Sequence, residues 1–187
     1  MNAVAKAQPI PVSDEVKKQV LKFIAGRLQV WLQEQGNATD VVHAILSEQS
    51  ANPYRAMNGV RELSKWVDHD DWDKILDGFA RCVRITRKET ERYEINPDLF
   101  EKEEERGLYA AYQEAAGKLT QADNVDAFLI AFVPMLPAIT TFFGTGKGDG
   151  VLVHADDAEL RKNRLGLLQA ISAMQQGRAD LSELAGF

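Results

Sequence analysis

The feature that most constrains the fold is the spacing of apolar residues, which recur every three or four positions through most of the chain. This period is that of an α-helix, whereas the alternation typical of strands occurs only briefly, at residues 151–153. Capping residues and prolines precede the periodic stretches, as at Ser13, Asn52-Pro53 and Asn96-Pro97. The sequence therefore predicts an all-α fold, a bundle of about seven helices.

The longest periodic stretch begins after Ser13 and ends at Gly36, and it predicts a helix with one face on the core. Its apolar positions are Val16, Val20, Phe23, Ile24, Leu28, Trp31 and Leu32. A later helix, which begins at Asp70-Asp71, is predicted to end near Arg92. Pro134 and Pro137 are expected to break or kink the apolar segment that begins at Asp123-Asn124.

Composition limits the class of protein and the kinds of partner that the chain can have. With 187 residues, of which 45% are apolar and 27% charged, the chain has the make-up of an ordinary globular protein with one core or two small ones. We expect no apolar run of the roughly 18 residues that cross a bilayer, and no signal peptide. Cys82 is the sole cysteine, which excludes an internal disulfide. The net charge of -6 disfavours indiscriminate nucleic-acid binding but allows a local basic face.

Such a face is predicted on the helix after Asp71. Its cations fall within a single stripe, with apolar residues roughly opposite, and an RNA backbone is bound by cations of this kind. The stripe consists of Arg81, Arg84, Lys88 and Arg92. The alternative interpretation is a solvated charged face, partly neutralised by Glu89 and Glu91.

A second set of candidate cations lies near the end of the chain. Arg161, Lys162 and Arg164 belong to an amphipathic helix that Asp156 or Asp157 caps, and we expect Lys162 and Arg164 to be free. For Arg161 a structural role is favoured over RNA contact.

The glycine-rich stretch 144–150 is predicted to be a flexible loop, in which Lys147 is a mobile point charge. This stretch lacks the residue spacing of a phosphate-binding loop.

A metal-dependent phosphohydrolase is an alternative that the histidines suggest. His43 and His69-Asp70 would have to converge with a later aspartate, Asp123 or Asp126, to bind a metal. The simpler interpretation is that residues 68–73 form an acidic turn before a helix and that His43 is an ordinary helix-face residue.

The run at residues 157–165, Asp-Ala-Glu-Leu-Arg-Lys-Asn-Arg-Leu, resembles the signature of the DALR anticodon-binding domain. Phe142-Phe143, the segment 151–153 and the run 160–168 follow one another as in the C-terminal end of bacterial-type glycyl-tRNA synthetase beta subunits. Four upstream segments resemble the same family, so that the resemblance covers roughly residues 19 to 187. These segments are 28–36, 40–46, 79–85 and 95–101. The glycine-rich loop departs from the family's shorter, acidic connection.

The resemblance implies a tRNA-binding fragment of a class II glycine–tRNA ligase. It implies a DALR domain at 69–187, a helical N-terminal part at 13–68, and a disordered leader or cut end at 1–12. The fragment would bind the anticodon region of glycine tRNA in the cytoplasm, without a catalytic site, metal, cofactor or membrane contact of its own. Its other partners would be the rest of the beta chain and a catalytic alpha part, fused or separate, that uses ATP and Mg²⁺. The candidate tRNA-binding residues are Arg81, Arg84, Lys88, Arg92, Lys147, Arg161, Lys162 and Arg164. A helical protein–protein interaction module is the alternative.

Overall fold

The computed structural model describes residues 2–120, 122–146 and 148–187, with Asn2 described by its backbone alone. The helices are α1 (Asn2–Lys6), α2 (Asp14–Glu34), α3 (Thr39–Gln49), α4 (Pro53–Val67), α5 (Trp72–Thr86), α6 (Glu103–Gly117), α7 (Val125–Phe132), α8 (Leu136–Phe143) and α9 (Ala158–Ala173). Short 3-10 helices lie at Pro97–Leu99, Val133–Met135 and Leu181–Glu183. These described ranges contain no strand, which confirms the all-α class.

Several helices begin where the sequence predicts. At four helix starts a side-chain oxygen accepts a hydrogen bond of 2.8–3.2 Å from the backbone N–H three residues ahead. The four capping residues are Ser13, Asn52, Asn124 and Asp157. Each bond satisfies a backbone donor that the helix itself leaves without a partner, and so fixes where the helix begins.

Two predicted boundaries are wrong. Helix α5 ends at Thr86 and not near Arg92, and the chain then runs without regular structure. We call residues 87–102 the strap. Asn96-Pro97 begins a 3-10 turn within the strap, where the Asn96 side chain accepts from the backbone N–H of Asp98 at 3.1 Å. The α-helix that was expected there begins at Glu103.

The α-helix of the apolar segment is interrupted at Pro134, as expected, since α7 ends at Phe132. A 3-10 turn joins α7 to α8, so that Val125–Phe143 is one helical element of 19 residues with a mean hydropathy of 1.8. This corrects the expectation of no apolar run of membrane-spanning length. Residues on its inner side are fully buried in the protein, including Phe128, Phe132 and Phe142.

The core is built around α5, which packs against α8 and α9. The ring of Phe79 lies 5.8 Å from that of Phe128 and 5.4 Å from that of Phe132, both edge-on. The buried cluster extends from Leu28 to Leu184 and so includes both predicted parts of the chain. The division at residues 68/69 stays a prediction.

The tail after α9 returns to α3. The backbone N–H of Asp180 donates to the carbonyl of Ala44 at 2.7 Å, and that of Gly177 donates to the Glu48 carboxylate at 2.7 Å. These bonds place the last residues of the chain beside the C-terminal part of α5.

The apolar positions of α2 lie only partly in the core. Leu28 and Leu32 are buried, but Phe23 is 69% exposed and Trp31 is 42% exposed. The expectation of a single inward apolar face is therefore wrong for most of this helix. In the predicted leader, the structure shows a short helix, α1.

Candidate nucleic-acid interface

Helix α5 has the two faces that the sequence predicts. Ile75, Phe79 and Cys82 are buried in the core, whereas Arg84 lies exposed on the outer side. Gly78 allows the helix to approach α8, because a Cβ at this position would lie 2.5 Å from the side chain of Leu136. The close packing of the inner face fixes the direction in which the outer face presents its charges.

Arg81 is half-buried and held by the chain's own groups. Its Nη2 donates to the carbonyl of Gly144 at 3.3 Å, and its guanidinium lies 4.9 Å from the centre of the Phe143 ring. Such a cation–π contact orients the guanidinium while leaving part of it open to a phosphate.

The glycine-rich loop next to Arg81 closes around one carboxylate. Asp149 accepts hydrogen bonds from the backbone N–H groups of Thr145 and Gly146, each at 3.3 Å. The Thr145 bond is the main reason why the pKa of Asp149 lies below its ordinary value. Lys147, the predicted mobile charge in this loop, lies outside the described residues.

Arg84 and Arg87 share the last aromatic ring of the chain. Their guanidinium carbons lie 5.4 Å and 5.9 Å from the centre of the Phe187 ring. Sequence reasoning missed both Arg87 and Phe187. Arg87 lies three residues after Arg84 and is therefore its neighbour on a helical surface, a signal that was present. The position of Phe187 depends on the return of the tail to α3, which no local pattern contains.

Lys88 and Arg92 lie on the strap and not on α5, so that the predicted single helical stripe is wrong beyond Thr86. Both side chains are exposed. We define the basic surface as Arg81, Arg84, Arg87, Lys88 and Arg92. Throughout the described ranges, no carboxylate oxygen lies within 4.0 Å of these five cations.

Glu89, which was considered as a neutralising acid, is engaged elsewhere. Its carboxylate accepts a hydrogen bond of 2.9 Å from the hydroxyl of Tyr93. This bond is the main cause that raises the pKa of Tyr93 above its ordinary value. The contact lies within the strap and leaves the cations beside it available.

Two amide side chains of α9 hold the strap. Gln169 accepts from the backbone N–H of Tyr93 at 3.1 Å and donates to the carbonyl of Glu91 at 2.8 Å. Asn163 accepts from the N–H of Asn96 at 2.7 Å and donates to the carbonyl of the same residue at 3.0 Å. Each amide satisfies one donor and one acceptor of the strap backbone, as a neighbouring strand would.

Gly166 lies on the same face of α9, between these two amides. A Cβ at this position would lie 2.8 Å from the carbonyl oxygen of Tyr93 and 3.3 Å from that of Glu94. The absence of a side chain therefore permits the strap to lie directly on the helix.

Replacing Gly166 with alanine is expected to lower the free energy of unfolding by about 1–3 kcal/mol, because the added methyl group must displace backbone. Urea denaturation measures the change. Gly107→Ala on α6 is the matched control, since a Cβ there meets nothing within 4 Å and the change should stabilise the helix. A Gly166→Ala protein as stable as the unaltered chain would contradict the contact.

Arg164 is buried, contrary to the expectation that it is free. Its Nε donates to the Glu105 carboxylate at 2.5 Å, its Nη1 donates to the carbonyl of Leu152 at 2.9 Å, and its Nη2 lies 3.7 Å from the Glu101 carboxylate. The other oxygen of Glu105 accepts from the N–H of Lys102 at 2.7 Å. Arg164 therefore joins α9 to the start of α6 and is not positioned to bind RNA.

This network makes stability depend on pH. Burial alone would raise the pKa of Glu105, but the bonds from Arg164 and from the backbone hold it below the ordinary value of 4.5. A lowered pKa in the folded protein contributes stability above pH 4.5, and the contribution is lost as the pH falls through the folded value. Glu105→Gln should therefore destabilise the protein most at neutral pH and least in acid. Urea denaturation from pH 7 to pH 3 measures this; a constant difference would contradict it.

The other two candidates on α9 make local contacts. Arg161 is half-buried, and its Nη1 donates to the carbonyl of Ala155 at 3.4 Å, just before its own helix. The choice between a structural role and RNA contact for Arg161 stays a prediction. Lys162 was expected to be free, but its Nζ lies 3.0 Å from the Glu159 carboxylate. This ion pair is exposed, so it constrains Lys162 only weakly.

A polar cleft of about 250 Å³ adjoins the basic surface between α5, α9 and the strap. Amide, hydroxyl, carboxylate and guanidinium groups line it. They include Glu48, Thr86, Arg92, Ser172, Gln175 and Gln176. Sequence reasoning missed this cleft, because its walls come from segments far apart in the chain.

The residues of the phosphohydrolase alternative are engaged in separate contacts. His43 lies 2.9 Å from the Gln29 amide nitrogen, His69 accepts from the N–H of Asp71, and Asp126 accepts from the indole of Trp66. Within the described part of the chain, no group of three His, Cys, Asp or Glu side chains is arranged to bind a metal.

Burial raises the pKa of Cys82 to about 12, which keeps this thiol protonated in the core.

Comparison with known proteins identifies relatives of one kind. A glycine–tRNA ligase beta subunit from Myxococcus xanthus is 35% identical over 190 residues, which cover 98% of this chain and 26% of that protein. One from Moorella thermoacetica is 33% identical over 174 residues, which cover 91% of this chain and 24% of that protein. This chain is similar to a part of glycine–tRNA ligase beta subunits.

The similarity extends to a plant protein. The chloroplastic/mitochondrial glycine–tRNA ligase 2 of Arabidopsis thaliana is 27% identical over 189 residues, which cover 100% of this chain and 17% of that protein. No family model matches the chain. It spans about a quarter of the length of the beta subunits that it matches.

Proposed function

We propose that this chain is a DALR-type anticodon-binding part of a glycine–tRNA ligase. It binds the anticodon region of glycine tRNA in the cytoplasm, while a catalytic part outside this chain attaches glycine with ATP and Mg²⁺. The observation that carries the proposal is the basic surface, five cations with no carboxylate oxygen of the described chain within 4.0 Å. The similarity to glycine–tRNA ligase beta subunits supports glycine tRNA as the proposed partner.

The proposed chemistry is binding without a covalent step. Arg84 and Arg87 donate to backbone phosphates, and their planar guanidinium groups stack on bases that an anticodon loop leaves unpaired. The Phe187 ring contacts both guanidinium groups and orients them, so that less side-chain entropy is lost when RNA binds. Phosphate contacts supply most of the affinity in this arrangement.

Base discrimination is assigned to the polar cleft beside these cations. Its amide and carboxylate groups offer hydrogen-bond acceptors and donors to the edge of an unpaired base, which is how single-stranded RNA is read. Because Arg92 lines the cleft, a phosphate held by this residue would bring the adjoining base to the opening.

The residues of the DALR-like run act within the protein in this proposal. Asn163 and Arg164 fix the strap and the start of α6, and the strap carries Lys88 and Arg92. The run therefore contributes to RNA binding by positioning other cations.

The proposal is tested by titrating the chain with glycine tRNA and with the same tRNA carrying a changed anticodon, at several salt concentrations. We expect affinity to fall with salt, as counterion release requires, and the altered anticodon to weaken binding by about 1–3 kcal/mol per mismatched base. Equal affinity for both tRNAs at every salt concentration would contradict anticodon binding.

A further inference from the structure

Helix α2 has a second apolar face on the side away from α3 and α4. With about 100° between successive residues, six large apolar side chains fall within one arc of about 120°. We call these residues the outer face: Val16, Val20, Phe23, Ile24, Val30 and Trp31. All six are exposed, by between 39% for Ile24 and 69% for Phe23.

The outer face is distinct from the face that anchors the helix. Leu28 and Leu32 are buried, and they lie about 100° or more around the helix from the centre of the outer face. The helix contacts α3 and α4, and those contacts leave the outer face uncovered. A cluster of exposed apolar side chains on one helix face is a mark of an interaction site, since solvent contact with it is unfavourable.

The shape of the outer face is that of a docking surface, with a projecting ring and a groove. Phe23 projects beside Gly26, where an added Cβ would meet nothing within 4 Å, so the helix surface beside the ring is open. An apolar groove of about 460 Å³ lies at the other end, between α1 and the side chains of Val16 and Val20. A projection next to a recess is the geometry in which helices interlock.

The size of the outer face indicates what kind of partner covers it. The sixteen residues from Val16 to Trp31 span about 24 Å, so that a stripe about 10 Å wide offers about 240 Å². A stable complex of separate molecules buries about 800 Å² on each partner. A small surface suffices when the partner belongs to the same chain, because the linkage raises the local concentration.

About three quarters of the length of the similar beta subunits lies outside the match, which is where a partner within the same chain would lie. The matches extend over 91–98% of this chain and thus take in most or all of α2. We propose that the outer face of α2 docks on another part of the same beta subunit and so orients the RNA-binding surface within it. This inference rests on the proposed role of the chain within a longer beta subunit.

The partner surface is apolar with an acidic group that faces Arg27. Arg27 lies at the centre of the outer face, one turn from Phe23 and Ile24 and one turn from Val30 and Trp31, and it has no carboxylate oxygen within 4.0 Å in the part of the chain that the structure describes. A carboxylate on the partner would pair with this cation and so guide the orientation of docking.

The test compares the chain alone with a fusion in which it replaces the 190 matching residues of the Myxococcus xanthus beta subunit. Amide hydrogen exchange is measured at residues 16–31. We expect exchange at least about tenfold slower in the fusion, because docking covers a helix that has few tertiary contacts of its own. Phe23→Asp should abolish the protection. Rapid exchange at residues 16–31 in a fusion whose α9 is protected would overturn the proposal.

Measurements on the chain alone distinguish docking within the beta subunit from two other ways to cover the outer face, which are packing within the chain itself and association with a second copy. Phe23→Asp should shift the melting temperature by less than about 2 °C, whereas Leu32→Asp, the buried control on the same helix, should lower it by more than about 5 °C. A large loss with Phe23→Asp would show that the residue packs within the chain itself and overturn the proposal. A dimer by light scattering that Phe23→Asp dissociates would assign the face to a second copy and overturn it as well.

Binding of glycine tRNA by the chain alone keeps this inference separate from the proposed function. Phe23→Asp should leave that affinity unchanged, since the outer face lies apart from the basic surface. A tenfold loss would make the outer face part of an RNA site and overturn the docking proposal. Absence of tRNA binding by the unaltered chain would refute the RNA-binding function and leave the exchange result to decide the docking.

Discussion

Replacing Arg164 with methionine is expected to lower the free energy of unfolding by about 3–5 kcal/mol, which is the usual effect of removing one partner of a buried ion pair. Methionine fills a similar volume but leaves the Glu105 carboxylate, which is fully buried, without its counter-ion. The carbonyl of Leu152 also loses its donor. Chemical denaturation at neutral pH measures the change.

The exposed ion pair of Lys162 provides the matched control. Lys162→Met removes a cation from the same helix, but the ion pair between Lys162 and Glu159 is exposed to solvent. This pair should contribute no more than about 1 kcal/mol to the free energy of unfolding. Arg164→Lys should show an intermediate loss, because an ammonium group retains the charge without the planar fork that reaches both Glu105 and the carbonyl. Equal stability of Arg164→Met and Lys162→Met would contradict the buried network.

Reversing the charges of Arg84 and Arg87 together is expected to weaken binding of glycine tRNA by about 10- to 100-fold at moderate salt. Each reversal takes a cation away from a phosphate and adds a repulsive charge. The slope of log affinity against log salt should become shallower by about 1 for each phosphate that the variant no longer neutralises. Titration of labelled tRNA at several salt concentrations gives both quantities.

The control for this pair preserves the change in net charge. Lys65→Glu with Lys118→Glu makes the same change on α4 and at the end of α6, outside the basic surface. If that variant loses as much affinity as the Arg84 and Arg87 variant, the loss reflects overall charge and the basic surface has no special role. Folding of both variants is checked by far-UV circular dichroism.

Much of the fold was predictable because its signals are local. The side-chain caps at Ser13, Asn52 and Asp157 act within three residues, and the structure forms each of them. The inner face of α5 was also predictable, since Ile75, Phe79 and Cys82 recur at helical spacing. Such features need no knowledge of which segments meet in the folded chain.

The predictions that are wrong depend on tertiary contacts. Arg164 is charged and lies on an amphipathic helix, which favours exposure, yet Glu105, 59 residues away, makes burial possible. The end of α5 at Thr86 follows from the strap, whose backbone finds its partners in Asn163 and Gln169 rather than in helical bonds. Local periodicity contains neither contact.

Helix α2 shows a different limit of sequence patterns. Apolar residues such as Val20 and Phe23 recur at helical spacing, but a pattern of this kind does not distinguish a face that packs on the chain's own core from one that docks elsewhere. The outer face became visible as a separate feature because the structure places Leu28 and Leu32, and not Phe23, in the core.

A chemical footprint of glycine tRNA bound to this chain tests most directly where the tRNA lies. We predict protection of the anticodon loop and of the adjoining stem, with no protection at the acceptor end. The Arg84 and Arg87 charge reversal should remove this protection. Protection confined to the acceptor end, or an anticodon loop equally reactive with and without the protein, would contradict the claim that the basic surface binds the anticodon region.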